Sequence, residues 1–587
     1  MSFNDDAQIM LLSSFGASKD GKAYTVKPVG GGAPLYVTRG SNLTATRVDS
    51  NGLIEKGREN LLLQSNQFDT TWVNYLIATP TSGQSGYDGN NDAWLVQCIN
   101  TSNFAGVSQA VSSSGVNVLS FYAKSGNVDY VGAHINAGTQ GNINFELTGS
   151  GSVGSVWNTG LFGEIKRVGI TDWYRCSFVF NGNLSNVRIG PRSSISSFNS
   201  AIGDNVIIQD AQLEQGLVAT EYIESGASTG LGGILEDMPR LDYSGGSCPS
   251  LLLEPQRTNL ITQSEYFDSY VKSDTSILTN QVQSPEGFVN ASLVAETATN
   301  SNHYLGLTTG VSVVSGTTYT FSVFIKKGDG ASAPDYCQLT FNFAGFGAVY
   351  ANFNLSNGTI GASSGVTPLI SDSTINGFWR CSISVTATST ANTGAIVAFT
   401  NNNDSLGRLP SYLGNTASDF YAYGFQVEEG SYPTSYIPTY GSSVTRVSES
   451  SNSLDVTTDI NGQATSWTIF YEFEEDYGVY QNSIRAINDQ SDNINVYTHT
   501  GGFRFYYRSL SKYITSSSGT KILARYNGSI LSEFHDGAEV TYTGSQAGGS
   551  SYPFDIYLNP SHIAGVKKIL LFPTALTDAE CIELTTL

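Results

Sequence analysis

Residues 317–325 alternate along the chain, with Tyr319, Phe321, Val323 and Ile325 on one side and Thr318, Thr320 and Ser322 on the other. A period of two sends one set to a buried face and the other outward, so this stretch predicts a half-buried strand. Residues 380–385 repeat the pattern and place Cys381 with Ile383 and Val385, while Cys176 falls in line with Phe178 and Phe180. Residues 467–473 alternate too, Gly501-Gly502 reads as a hairpin turn ahead of residues 503–508, and residues 567–572 predict a last strand. Turn-forming runs such as Ser371-Asp372-Ser373 and Asn401-Asn402-Asn403-Asp404 punctuate these segments. The period changes only near the end, where Thr577-Asp578-Ala579-Glu580 spells a capping box and predicts a short C-terminal helix. The expected fold class is all-β: antiparallel sandwiches of jelly-roll type with one short helix.

The pattern also recurs at long range. Asn60 to Asp69 reads NLLLQSNQFD and Asn259 to Asp268 reads NLITQSEYFD, with seven of ten positions identical or both aliphatic. Ser120-Phe121-Tyr122-Ala123-Lys124 matches Ser322-Val323-Phe324-Ile325-Lys326, and Trp173-Tyr174-Arg175-Cys176-Ser177 matches Phe378-Trp379-Arg380-Cys381-Ser382. Gln212-Leu213-Glu214-Gln215-Gly216 with Thr220, Tyr222 and Ile223 answers to Gln426-Val427-Glu428-Glu429-Gly430 with Thr434, Tyr436 and Ile437. Four blocks in one order mark two homologous modules, each large enough to bury a core. They are assigned to residues 59–225 and 258–446, joined by a turn-rich linker at 226–257 that packs on its neighbours because Leu251-Leu252-Leu253 would not stay solvated. Residues 447–587 do not continue the repeat and predict a third domain. Residues 1–58 lack sustained alternation and carry Gly30-Gly31-Gly32-Ala33-Pro34. They are expected to order against a partner, so that removing residues 1–40 would leave the sandwiches intact.

Composition narrows the function. Charged residues are 13% of the chain, against a usual value of about 25%, and aromatics reach 11%. The net charge of −21 is spread thinly, with no basic run to track phosphates, which argues against nucleic acid as a partner. No apolar run of about 18 residues predicts a membrane helix, and the opening residues do not read as a secretory signal, so synthesis in a cytoplasm is expected. Six scattered cysteines without a CxxC pair read as reduced core residues.

Three segments carry a family likeness. Thr44-Ala45-Thr46-Arg47-Val48-Asp49-Ser50-Asn51-Gly52-Leu53-Ile54-Glu55, Pro239-Arg240-Leu241-Asp242-Tyr243 and Leu252-Leu253-Glu254-Pro255-Gln256-Arg257-Thr258-Asn259-Leu260 resemble bacteriophage head-spike and fibre proteins. In such proteins the first segment runs directly into the other two, whereas here the first module interrupts them. The two modules resemble carbohydrate-binding-module jelly rolls. The last portion, through Ile522-Leu523-Ala524-Arg525-Tyr526-Asn527-Gly528 and its strand-then-helix close, resembles laminin-G or concanavalin A-like domains. The resemblance implies a virion appendage, on head or tail, held to other virion proteins through residues 1–58, commonly trimeric, and presenting sandwiches to surface glycan. The alternatives are a polysaccharide depolymerase and an inert capsid decoration protein.

The residues offer little chemistry, and no enzyme is expected. The histidines at 134, 303, 499, 535 and 562 lack ligand spacing, and no nucleophile elbow or phosphate loop is present. Glu472, Glu474, Glu475 and Asp476 read as the charged face of an edge strand rather than a carboxylate pair for glycoside hydrolysis. Gln212, Glu214, Gln426 and Glu428 recur at matching places. They pair with the N-terminal strand of each module or, in the sharper reading, supply oxygens to a structural Ca²⁺; no cofactor is otherwise required. Arg504, Tyr506 and Arg508 alternate on a hairpin strand, where an aromatic between two guanidiniums suits a sugar face.

Overall fold

A computed structural model describes residues 9–12, 18–19, 22–23, 37–40 and 44–451, the last span without 101–103, 236–237, 248 and 374. Beyond it the described residues are 454–455, 466–473, 481–488, 492–499, 502–507, 512–515, 520–527, 530–540, 555–558, 565–572 and 574–586. The alternating stretches form strands as expected, and the helix Asp578–Thr586 closes the fold behind its capping box, Thr577 N–H donating to Glu580 and Glu580 N–H to Thr577 Oγ1.

Each homologous module is a sandwich of two antiparallel sheets. In the first module one sheet runs Gly160–Arg167, Trp173–Asn181, Val116–Ser125, Asn205–Gln215, Ala93–Gln97, Thr81–Gln84. The second sheet runs Ser152–Val153, Thr139–Glu146, Tyr130–Ala137, Leu184–Arg192, Gly106–Ser113, Val73–Tyr75, with Trp157–Asn158 also on Thr139–Glu146. The other module repeats both orders: Thr367–Ser373, Phe378–Thr386, Thr318–Lys327, Asp419–Glu429, Val289–Glu296, Thr275–Gln283, and opposite it Thr359–Ser364, Tyr350–Asn354, Tyr336–Phe341, Ala395–Phe399, Tyr304–Gly306, Val271–Ser273. Even the bulge is shared. Asp210 and Gly424, both at positive φ, shift the register of the last strand at corresponding places.

Aromatic and β-branched residues from the inward positions fill each core, among them Phe121, Ile143, Phe145 and Phe178 in the first module and Phe321, Leu339, Phe353 and Phe425 in the second. Cys98, Cys176, Cys337, Cys381 and Cys581 are buried thiols, and burial pushes the Cys176 and Cys381 thiols up. No helix among the described residues is long and apolar enough to cross a membrane.

The strand leading into each jelly roll pairs with the strand returning from it. Ile54–Asn60 pairs with Gly230–Gly233, and Arg257–Asn259 with Val444–Arg446. The last sandwich is likewise not self-sufficient. Its larger sheet joins Val566–Phe572, Trp467–Phe473, Lys521–Tyr526, Leu531–His535 and Ala538–Glu539, and is extended by Ile9–Leu12 and the hairpin Arg240–Asp242 with Ser250–Leu252.

The segment expected to wait for an outside partner is therefore partly seated on its own chain: Ile9 lies opposite Leu571 and Leu12 opposite Lys568, and Val37–Thr38 pairs with Ser450–Ser451. A strand edge of unpaired N–H and C=O groups takes the nearest complementary segment, and four residues are too few to display a period of two. The second sheet of this sandwich runs Leu454–Asp455, Asp555–Leu558, Gln481–Asn488, Asp492–His499, Gly502–Tyr507, Lys512–Thr515.

Candidate functional site

The outer face of the first module's second sheet carries a row of polar side chains where a solvated strand would show lysine and glutamate. Registers align Val73, Ser108, Arg188, His134, Asn142 and Trp157 across consecutive strands. Ser108, Arg188, His134 and Asn142 belong to strands whose inward positions (Val107, Ile189, Ala133, Ile143) enter the core, so alternation alone points these four outward, and the register carries the row on to Val73 and Trp157 at its ends. Trp157, at the far end, is 52% exposed, and Tyr75, beside the near end, is 40% exposed. The Arg188 guanidinium lies over the Tyr75 ring, 3.6 Å from its centre. Phe104 stacks on His134 with ring centres 4.4 Å apart, and Phe198 stands between Phe104 and Trp157. Phe104 holds this place at φ 65°, a left-handed conformation that a bulky residue adopts at a cost of order 1 kcal/mol or more.

The polar groups beneath are poor in partners. His134 Nδ1 and Asn142 Oδ1 are 2.7 Å apart, and burial, Arg188 and Arg192 pull the imidazole down to about 4. A neutral ring donating from Nδ1 leaves the Asn142 amide as a buried donor with no partner. Arg192, opposite Tyr130 in the register and with its side chain packed over Gly132, where a side chain would collide with it, donates to the carbonyls of Ala105, Gly190 and Pro191. Burial pulls its guanidinium down to about 9, so it remains charged at neutral pH.

The second module closes the same face with its own chain. Residues 400–418 are longer than their counterpart 193–204 and lie across the sheet. Gln338 donates to Asn352 and to the Gly407 carbonyl and accepts from Leu409 N–H; Asn352 donates to Asp404; Arg408 covers Thr340 and the Phe341 carbonyl. In the first module the loop 193–199 also reaches the face, Asn144 donating to the carbonyls of Ser194, Ile195 and Ser197, but it leaves the face open at Trp157 and Tyr75.

No family model and no curated protein matches the chain. Among solved structures, the N-terminal CBM22-1-CBM22-2 tandem domain from Paenibacillus barcinonensis Xyn10C is similar at 12% identity, covering 67% of this chain and 100% of that one, with a TM-score of 0.20. At that score the likeness says nothing of ligand, and the face stands on its own geometry.

The residues singled out from the sequence have other surroundings. Glu214 accepts from Gln212, from Thr220 N–H and from the Thr220 hydroxyl, and lies 3.8 Å from Arg58; Glu428 has the same relations to Gln426, Thr434 and Arg257. The oxygens of Gln212 and Gln426 accept from Ile223 and Ile437 N–H. Asn60 and Asn259 complete the pattern, each bridging the last strand of its module through four hydrogen bonds to backbone groups. The geometry is that of a hydrogen-bond lock rather than a cation shell, and an ion there would displace an arginine. Arg504 and Tyr506 sit two apart on Gly502–Tyr507 and so share one face; their side chains, and Arg508 altogether, lie outside the described residues. Glu472 is half-buried on its strand; Glu474, Glu475 and Asp476 also lie outside the described residues.

Two buried ionic clusters hold the pieces together. Lys56 reaches Glu265 (2.5 Å) and Glu286 (2.8 Å), with the hydroxyls of Tyr423, Tyr436 and Tyr440 on Glu265. Burial would lower this lysine, but the two carboxylates raise it, so it is an ammonium clamp between the strand Ile54–Asn60 and the second module. A small cleft beside it, lined by Arg58, Glu59, Glu214 and Pro438, has Arg58 and Glu214 already paired. In the other cluster Arg39, Arg240 and Arg446 share Glu254 and Glu449. The motifs behind the fibre resemblance supply Arg240 and Glu254 to the second cluster and Arg257 and Asn259 to the second lock.

The row of the open face was not among the sequence candidates. Its signal was the polar residue at every second position of otherwise apolar strands, as in Asn142-Ile143-Asn144 and Asn186-Val187-Arg188-Ile189. Which strands stand side by side is decided only by pairing.

Proposed function

We propose that this chain is a structural, adhesive appendage of a bacteriophage virion, a head spike or fibre or a tail fibre, that binds surface carbohydrate through the open face of its first module. The observation that carries the reading is the row Arg188, His134, Asn142, Trp157: an exposed indole and a guanidinium bracket buried amide and imidazole groups over three strand spacings, about 15 Å in all. Aromatic faces stack on sugar rings and fixed donors read hydroxyls, a combination suited to an oligosaccharide. The second module and the last sandwich act as spacers, and repetition in an oligomer, a homotrimer in this reading, converts weak sites into firm adhesion. Attachment to other virion proteins is assigned to residues 1–58, alongside the pairings that part of this segment makes within the chain. No catalytic step is assigned.

The test is a glycan array probed with the full-length chain and with Trp157→Ala. Binding that falls at least about tenfold in the variant, with an unchanged melt, supports the site. A blank array together with no adsorption to host cells makes this a decoration protein, and new reducing ends released from host polysaccharide make it a depolymerase. Immunogold labelling of purified particles tests the virion assignment.

A further inference from the structure

Resting on that reading, we infer that the saccharide taken by the open face of the first module is anionic, its carboxylate or sulfate meeting the guanidinium of Arg188. Of the strands that form this sheet only Thr139–Glu146 carries a carboxylate, at its last residue, and Glu146 accepts there from the hydroxyls of Thr148 and Ser152. Against a chain of net charge −21, the face holds two arginines that form no ion pair among the described residues, and its one carboxylate, Glu146, in the row of Tyr130 and Arg192, is engaged by hydroxyls. Arg188 is half-buried, donates to the Phe104 carbonyl, and keeps a buried Nε without a partner. Arg192 lies beneath Phe104, 5.9 Å from the ring centre, and contributes its charge without access to solvent.

Burying a cation without a partner is costly: the fully buried Arg240 and Arg446 meet Glu254, whereas the fully buried Arg192 meets only carbonyls. Here the missing negative charge is one a ligand can bring. The Asn142 amide, 1% exposed, lies too deep to meet a ligand directly, and the Trp157 indole, 52% exposed, provides the stacking surface at the end of the row. A neutral sugar would stack on the indole but leave the positive potential unanswered. An acidic sugar answers both, by a charge-assisted hydrogen bond that planar guanidinium geometry favours.

The experiment uses the full-length chain, a panel of polyuronates, sialylated glycans and sulfated glycans, and each carboxylated member with its carboxylates reduced to alcohols, measured by calorimetry at low and high salt. The expected result is binding confined to acidic members, weakened about tenfold or more by carboxyl reduction and by Arg188→Gln, and falling with salt. Arg188→Lys, which keeps the charge but loses the planar fork, should recover only part of it. Equal affinity for the reduced and acidic forms, or no effect of Arg188→Gln while Trp157→Ala still weakens binding, overturns the anionic assignment and leaves the glycan face standing. Binding to no member of either series, with Trp157→Ala inert on the array as well, overturns both.

Discussion

Replacing Glu449 with glutamine should unfold the chain far more readily than its modest chemistry suggests. Glu449 is fully buried and receives Arg240 Nε at 2.5 Å and Arg39 Nη1 at 3.4 Å, while its other oxygen accepts the Glu254 N–H at 2.9 Å. Three guanidiniums share two carboxylates, so the cluster already holds one positive charge in excess. Burial alone would lower Arg240, yet Glu449 and Glu254 raise it, a sign that attraction to the two acids outweighs desolvation. Glu449→Gln leaves three buried cations against one anion, and breaking a buried pair in this way costs about 3–5 kcal/mol.

The internal control is Glu55→Gln. Glu55 pairs with Arg47 at 2.7 Å, but both side chains are partly exposed, and such a pair is worth about 1 kcal/mol or less. Urea unfolding followed by fluorescence and circular dichroism should show the first transition of the Glu449 variant shifted by several-fold more than that of the Glu55 variant. The double variant Glu449→Gln, Arg240→Met should regain part of the loss, because it removes a stranded charge. Equal small shifts for both single variants would mean that the cluster adds nothing to stability and that the N-terminal segment, the connector and the chain after the second module are held by something else.

Deleting residues 1–40 should lower the melting temperature of the last sandwich, since the deletion removes Ile9–Leu12 from the edge of Val566–Phe572 together with Arg39; an unchanged calorimetric trace would contradict the pairing. Asn60→Ala and Asn259→Ala should each cost about 2–4 kcal/mol, by similar amounts, because each strands the same four buried backbone groups, and a difference above about 2 kcal/mol in urea melts would show the two locks to be unequal. Burial would raise Glu254 and Glu286, but arginine neighbours of Glu254, and Lys56 and Arg58 beside Glu286, hold both at about 2. Their folded values lie below the unfolded one, so their contribution is complete above about pH 4.5 and is lost as pH falls from there toward 2; a urea midpoint that stays level between pH 5 and pH 3 would refute it.

Much of the architecture was legible before any fold was known. Period-two alternation in residues 317–325 and 380–385 marked strands and faces because side chains on a pleated backbone have no other periodicity, and it put Cys381 with Ile383 in the core, where it lies. The capping box at Thr577 was legible because both partners sit within one helical turn. The duplicated blocks showed that the chain holds two copies of one unit, and the common strand order follows from that.

What the tertiary structure alone decided are relations between residues far apart in the chain. Alternation tells that Arg188, His134 and Asn142 point to a face, but not that their strands are neighbours or in which register, and the open row exists only through that register. Gln212 and Glu214 looked like ligands from their oxygens; the neighbours that engage those oxygens, Arg58, Thr220 and Ile223, become visible only when the last strand meets the leading one. Ile9–Leu12 is too short to show a pattern, and its place beside Val566–Phe572 is set by the unsatisfied edge of a sheet assembled hundreds of residues later. Local sequence determines which backbone conformation each stretch prefers. Hydrogen-bond completion and the pairing of buried charges determine which stretches meet.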